Sequence, residues 1–290
     1  MRPNFEYYMA SLDQWPFEVG VDLTARDRAP VAGKPFRVHL RLELNHASDD
    51  GLSTKEEDAL LALIEDEILA TLDPDGYELV ASVTHRKART LVLYSSRRPE
   101  DDPAIARALE KIETHTTKVM CEEDPGWDEY AEQLYPDTEM MHQIQDRRVL
   151  REFERCGDDA AEMHVIEPRF IGLDEAGAKA LSESLSNLRY EIREMRRGAG
   201  DEWIVTAAVK SPLGLAVLDE FRHTWLELAR QTKGAYQGWS AEVVPVSGKN
   251  NNPGLGGHLN DVPDTLDLPP AIARDLEEAD RAPARRRDAR

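Results

Sequence analysis

The sequence predicts an α+β protein. It should hold two tandem ferredoxin-like (βαββαβ) domains, the first with an extra N-terminal β-hairpin, and a disordered C-terminal tail. Three observations lead there. Two stretches of similar length each run strand, helix, strand, strand, helix, strand. The right-handed crossover rule turns that order into a four-stranded antiparallel sheet with both helices on one face. After residue 245 the chain becomes polar and loop-like, beginning Ser247-Gly248-Lys249-Asn250-Asn251-Asn252-Pro253-Gly254. The expected boundaries are 1–136, 137–245 and 246–290, and 290 residues suffice for about two domains.

The hairpin is expected from Phe5 to Leu12 and Phe17 to Leu23, turning through Asp13-Gln14-Trp15-Pro16. From Phe36 to Leu44 apolar residues alternate with Arg37, His39, Arg41 and Glu43, which predicts a strand with one buried face. Ser53-Thr54-Lys55-Glu56 reads as a capping box opening a helix whose apolar stripe is Leu60, Ile64, Ile68 and Leu72. Strands follow at Tyr77 to Thr84 and Thr90 to Tyr94 around the basic turn His85-Arg86-Lys87. Asp102-Pro103 caps a helix carrying Ile105, Leu109 and Ile112, and Thr117 to Cys121 is the last strand.

Residues 124–157 read as a connector. It holds a turn at Asp124-Pro125-Gly126-Trp127, an apolar side made by Tyr130, Leu134 and Tyr135, and a long helix ending at Gly157. The second domain repeats the order. A strand from His164 to Ile171 precedes a helix capped by Asp174, with Leu181, Leu185 and Leu188 on its apolar side. Strands at Arg189 to Met195 and Trp203 to Val209 flank Gly198-Ala199-Gly200. Ser211-Pro212 should open a helix with Val217, Phe221, Trp225 and Leu228 on one face, before a short strand from Ala241 to Pro245. The likeness between the halves is one of element order, without a residue-level repeat. In the tail, Leu268 to Ala279 could form a marginal helix, and Arg285 to Arg290 is a basic patch.

Composition narrows the function classes. The formal charge is −20, and residues 1–245 carry 48 acids against 29 basic residues. Such a surface repels phosphate backbones at long range and suits a basic protein partner. The strands also lack an R-G-F-x-F-type pattern of stacking aromatics, so direct nucleic-acid binding is not expected. Cys121 and Cys156 form no zinc or disulfide pattern. The first ten residues hold no apolar signal segment, and no run of about 18 apolar residues occurs. The expectation is a soluble cytoplasmic protein with no membrane partner; its oligomeric state is not readable.

Catalytic patterns are missing. No two of the eight histidines stand at i, i+3 or i, i+4, and neither H-E-x-x-H nor G-x-S-x-G occurs. Gly254-Leu255-Gly256-Gly257 follows no strand and reads as linker, not as a phosphate loop. The densest acidic run, Glu65-Asp66-Glu67, fills positions between apolar residues and reads as a solvated helix face. Trp127, Tyr130 and Tyr135 are expected to pack between the domains. No catalytic, metal-binding or cofactor-binding residue is assigned, and no cofactor is expected. The candidate protein-binding residues are Tyr236 and Trp239, aromatics expected in a Gly-bearing turn, where they either cover the sheet end or anchor an interface.

Two stretches resemble known families. Arg147-Arg148-Val149-Leu150, Cys156-Gly157-Asp158-Asp159 and the closing Gly234-Ala235-Tyr236-Gln237-Gly238-Trp239 make residues 147–245 similar to the regulator of ribonuclease E activity B family. Residues from about 4 to 136 resemble a bacterial domain family of unknown function found fused to that regulator. The matching residues there are Asp50-Gly51-Leu52-Ser53 with Glu56-Glu57, Ile64-Glu65-Asp66, Asp124-Pro125-Gly126-Trp127 and Leu134-Tyr135-Pro136. The resemblance implies a non-enzymatic inhibitor that acts by binding an RNA-processing endoribonuclease. Two alternatives stand beside it: an enzyme with a site assembled between the two domains, and a structural or small-ligand module.

Overall fold

The computed structural model describes residues 5–198 and 200–246, and the chain divides into two units between Pro136 and Asp137. The expected tail, with its marginal helix and basic end, and Ala199 of the expected turn lie outside the described residues.

The first unit holds strands β1 (Phe5–Leu12), β2 (Trp15–Asp22), β3 (Phe36–Glu43), β4 (Tyr77–His85), β5 (Ala88–Ser95) and β6 (Thr117–Glu123). Helix α1 (Lys55–Thr71) follows β3, and α2 (Pro103–Glu110) follows β5. Every neighbour in the sheet β1-β2-β4-β5-β3-β6 is antiparallel. Within it, β3 to β6 keep the ferredoxin-like order, fourth-first-third-second, and the hairpin extends the β4 edge.

Its hairpins explain where the sequence boundaries drift. Asp13 and Gln14 both take positive φ (51° and 68°), so the first turn needs only two residues and β2 begins at Trp15, earlier than expected. Arg86 and Lys87 (45° and 61°) close β4 onto β5 in the same way. At α1 the cap is Thr54, whose hydroxyl accepts from the Glu57 amide (3.3 Å), one residue later than expected. Ser53 instead joins Asp58 and Arg89 in a polar cluster. The inward stripe shifts likewise. Leu61 is fully buried with Ile64, Ile68 and Leu72, while Leu60 is 37% exposed. This stripe meets Val38, Leu40 and Leu42 of β3 and Leu91 and Leu93 of β5.

The other sheet face has its own cover. After β6 the chain turns at Trp127 (φ 57°) and forms a π-helix, Glu129–Leu134. Trp127 stacks on Tyr94 of β5 (4.1 Å, 11°), and its Nε1 donates to the Lys34 carbonyl (3.0 Å). The Tyr130 hydroxyl donates to the Asp22 carbonyl, and that of Tyr8 to the Leu134 carbonyl (both 2.8 Å). Trp127 and Tyr130, expected at a domain boundary, are thus held by the first unit's own sheet. Tyr135 lies beneath the Arg26 guanidinium (4.3 Å).

The second unit opens with α3 (Thr138–Arg155), followed by β7 (His164–Leu173), α4 (Glu175–Asn187), β8 (Glu191–Arg197), β9 (Trp203–Ser211), α5 (Leu215–Gln231) and β10 (Ala235–Ser240). The antiparallel order β10-β7-β9-β8 is again ferredoxin-like. Ile166, Phe170, Val205 and Ala207 from the sheet meet Leu181, Leu185, Trp225 and Leu228 from the helices.

Two expectations fail here. Ser211 ends β9 instead of capping α5, because the helix starts three residues later, after Gly214 and the buried Leu213. The last strand is Ala235–Ser240, not Ala241 to Pro245. Lys233 (φ 57°) and a bond from the Gly234 amide to the Ala229 carbonyl (2.9 Å) end α5 tightly, so the strand begins at once. Gly238, at φ 143° in a bulge against β7, breaks the alternation that would have announced it.

Candidate protein-binding site in the second unit

Strand β10 carries both candidate residues, so they stand in the sheet and not in a turn. Tyr236 pairs with Phe170 and is 5% exposed, with ring contacts to His142 (4.8 Å), Trp225 (5.2 Å) and Phe170 (5.8 Å). Burial, with the nearby Asp146 charge, pushes its hydroxyl well above the ordinary tyrosine range. Burial also lowers His142 to about 4, assisted by Arg222, so its imidazole is neutral at pH 7.

Trp239 is half-buried, and its Nε1 donates to Asp146 Oδ1 (2.7 Å). The other Asp146 oxygen accepts from Arg222 Nη1, and Arg222 Nη2 reaches Asp219. Burial pushes Asp146 up to about 6, against the hydrogen bond from Trp239 and the Arg222 charge. This knot ties α3, α5 and β10 together. Both Asp146 oxygens are occupied, so the carboxylate holds structure and is not free as a base.

The other family-like motif is also structural. Gly157 (φ 78°) ends α3, and Asp158 Oδ1 meets His164 Nε2 (2.9 Å) and the Val244 amide (2.7 Å). That link clamps the start of β7 to the chain leaving β10. Among the described residues β10 and β8 form the two edges of the sheet. The face turned away from the helices carries paired charges: Arg193 with Glu191 (2.6 Å) and Glu167 (3.5 Å), and Arg196 with Glu194 (3.0 Å).

Other candidate groups are held in ordinary contacts. Glu65 reaches Arg89 (3.4 Å) and Glu67 pairs with Lys111, so that run is held in ordinary ion pairs. Burial, then the Glu100 charge, raises the Cys121 thiol, and Cys156 is exposed at the end of α3. Among the described residues no group of three or more His, Cys, Asp or Glu could hold a metal ion, and no helix is long and apolar enough to cross a membrane. Sequence reading missed the Asp146–Arg222–Trp239 knot, whose members are 76 and 93 residues apart. Its one local hint is a charge pair, Asp219 and Arg222, spaced i, i+3 on α5.

No curated protein matches the chain. Among solved structures, an unknown protein from Galdieria sulphuraria is 13% identical and covers 72% of this chain and 97% of its own, with a TM-score of 0.19. Residues 3–135 match the Family of unknown function (DUF695). The match to Regulator of ribonuclease activity B spans 143–241, from within α3 through β10. The chain therefore joins a first unit that matches a family of unknown function to a second that matches the regulator of ribonuclease activity B.

Proposed function

We propose that this protein is a non-enzymatic regulator that binds a protein partner, with an RNA-processing endoribonuclease as the first candidate. One observation carries the reading: the regulator match covers the whole βαββαβ body of the second unit, both candidate aromatics included. The acid surplus suits a basic partner surface and opposes direct binding to nucleic acid. Within this reading Trp239, partly exposed, contacts the partner, and buried Tyr236 serves by anchoring β10.

The test is capture of a purified endoribonuclease by the full chain, followed by RNA cleavage with and without it. Saturable binding that slows cleavage supports the proposal. No binding at any concentration, or binding unchanged by Trp239→Ala in a variant that keeps its melting temperature, counts against the protein or the site respectively.

A further inference from the structure

A different surface, in the first unit, carries an inference independent of the regulator reading. On the sheet face away from α1 and α2, β3 presents Arg37, His39 and Arg41 in alternation. Their antiparallel partners on β6 are Glu122, Met120 and Lys118, and on β5 they are Tyr94, Val92 and Thr90.

The two ends of this face are treated differently. At the Arg37 end every charge is answered. Arg37 meets Glu129 (2.7 Å), Asp124 (3.8 Å) and Glu122. Both Glu129 oxygens lie 3.1 Å from His39 Nε2. Asp124 accepts from the Tyr94 hydroxyl (2.6 Å) and from the amides of Asp128 (2.8 Å) and Glu129 (3.2 Å). Burial alone would raise its carboxyl, but these bonds and Arg37 hold it below the usual range.

At the other end Arg41 stands directly opposite Lys118, and neither side chain makes a hydrogen bond or ion pair among the described residues. Directly opposed strand residues have their Cβ atoms about 5 Å apart, and like charges there repel. The first unit, residues 1–136, holds 28 acids against 15 basic residues, so carboxylates were plentiful. Glu43, next along β3 on this face, closes on neither cation. Beside Arg41 on β5 lies the Thr90 hydroxyl, also without a hydrogen-bond partner among the described residues, and His39 keeps Nδ1 uncommitted because Glu129 engages only Nε2. The result is a guanidinium, an ammonium and a hydroxyl on three adjacent strands, all donors, beside an oriented imidazole.

We propose that this corner of the first unit, Arg41 and Lys118 with Thr90 and His39 at its margin, binds the phosphate group of a small molecule. A guanidinium offers a planar fork of donors to the oxyanion, and the ammonium adds a point charge from the neighbouring strand. The bound dianion also removes the repulsion between the opposed cations.

The test is a titration of the full chain with inorganic phosphate, in parallel with glycerol phosphate and with succinate, at matched ionic strength, followed by amide NMR. Phosphate should saturate one site and shift amides around residues 39–41, 90 and 117–119. Arg41→Gln and Lys118→Gln should each weaken it about tenfold, and Lys87→Gln, in the exposed turn, should not. Since each substitution removes a like-charge clash, neither should lower the melting temperature. Tighter binding of glycerol phosphate supports the proposal and identifies an esterified ligand. Unsaturable shifts, binding of succinate in preference to phosphate, or phosphate binding indifferent to Arg41→Gln would overturn it. Loss of phosphate binding with endoribonuclease capture intact separates this site from the function proposed for the second unit.

Discussion

The two units share one strand order but treat the back of the sheet in opposite ways. In the first, Tyr94 looks away from the helices and the chain after β6 returns to cover it with Trp127 and Tyr130, both fully buried. In the second, the equivalent face bears half-exposed charges that pair with one another, Arg193 with Glu167 and Arg196 with Glu194. The second unit's extra element, α3, packs instead beside α5 and β10 through Asp146. A βαββαβ order fixes one buried face. What becomes of the other depends on the segment that lies outside the repeat.

The largest expected effect tests the aromatic cover. Trp127→Ala removes the ring stacked on Tyr94 and the bond to the Lys34 carbonyl, and should cost the first unit about 4 kcal/mol in urea unfolding. A loss below about 1 kcal/mol would mean the cover is dispensable and the contrast between the faces is superficial.

Next comes the knot of the second unit. Asp146→Ala leaves Arg222 buried and short of its main partner, an expected loss of about 3 kcal/mol. Adding Arg222→Met should recover part of it, and a double variant no better than the single would refute the ion-pair account. A smaller cost, about 1–2 kcal/mol, is expected for Gly238→Ala. There φ is 143° and nothing lies within 4 Å of the added methyl, so only the backbone conformation opposes it.

The smallest effect is the pH dependence of that knot. His142 is lowered to about 4, so its contribution to stability is present above pH 6.5 and lost as pH falls towards 4. Asp146 is raised to about 6, so its contribution is present below pH 3.8 and lost as pH rises through 6. Between pH 4 and 6 the two slopes oppose, and the second unit should change by no more than about 1 kcal/mol from this pair. Replacing the imidazole, His142→Leu, should expose the Asp146 slope, with stability rising on the order of 2 kcal/mol from pH 6 to pH 4. Unfolding midpoints that instead fall over that interval would show that Asp146 keeps its charge.

Much of the frame is legible in the sequence. Alternation over Phe36 to Leu44 located β3, Asp102-Pro103 and Asp174 located two helix starts, and the element order implied both sheets. Errors of one to three residues arose where neighbouring residues offered equal signals. Ser53 and Thr54 both make good caps, and Leu60 and Leu61 both suit an apolar stripe. Only docking against β3 and β5 selected Thr54 and Leu61. At β10 the bulge at Gly238 hid the strand, so Tyr236 and Trp239 looked like turn residues.

By itself, then, the sequence determined the two α+β repeats, their acid surplus and the presence of the helices, because period and capping are properties of neighbouring residues. Only the tertiary structure decided that Trp127 roofs Tyr94, that Asp146 joins Arg222 to Trp239, and that Arg41 faces Lys118 unanswered. Those partners stand 33, 76, 93 and 77 residues apart. No periodicity reaches that far; strand register and burial bring them together.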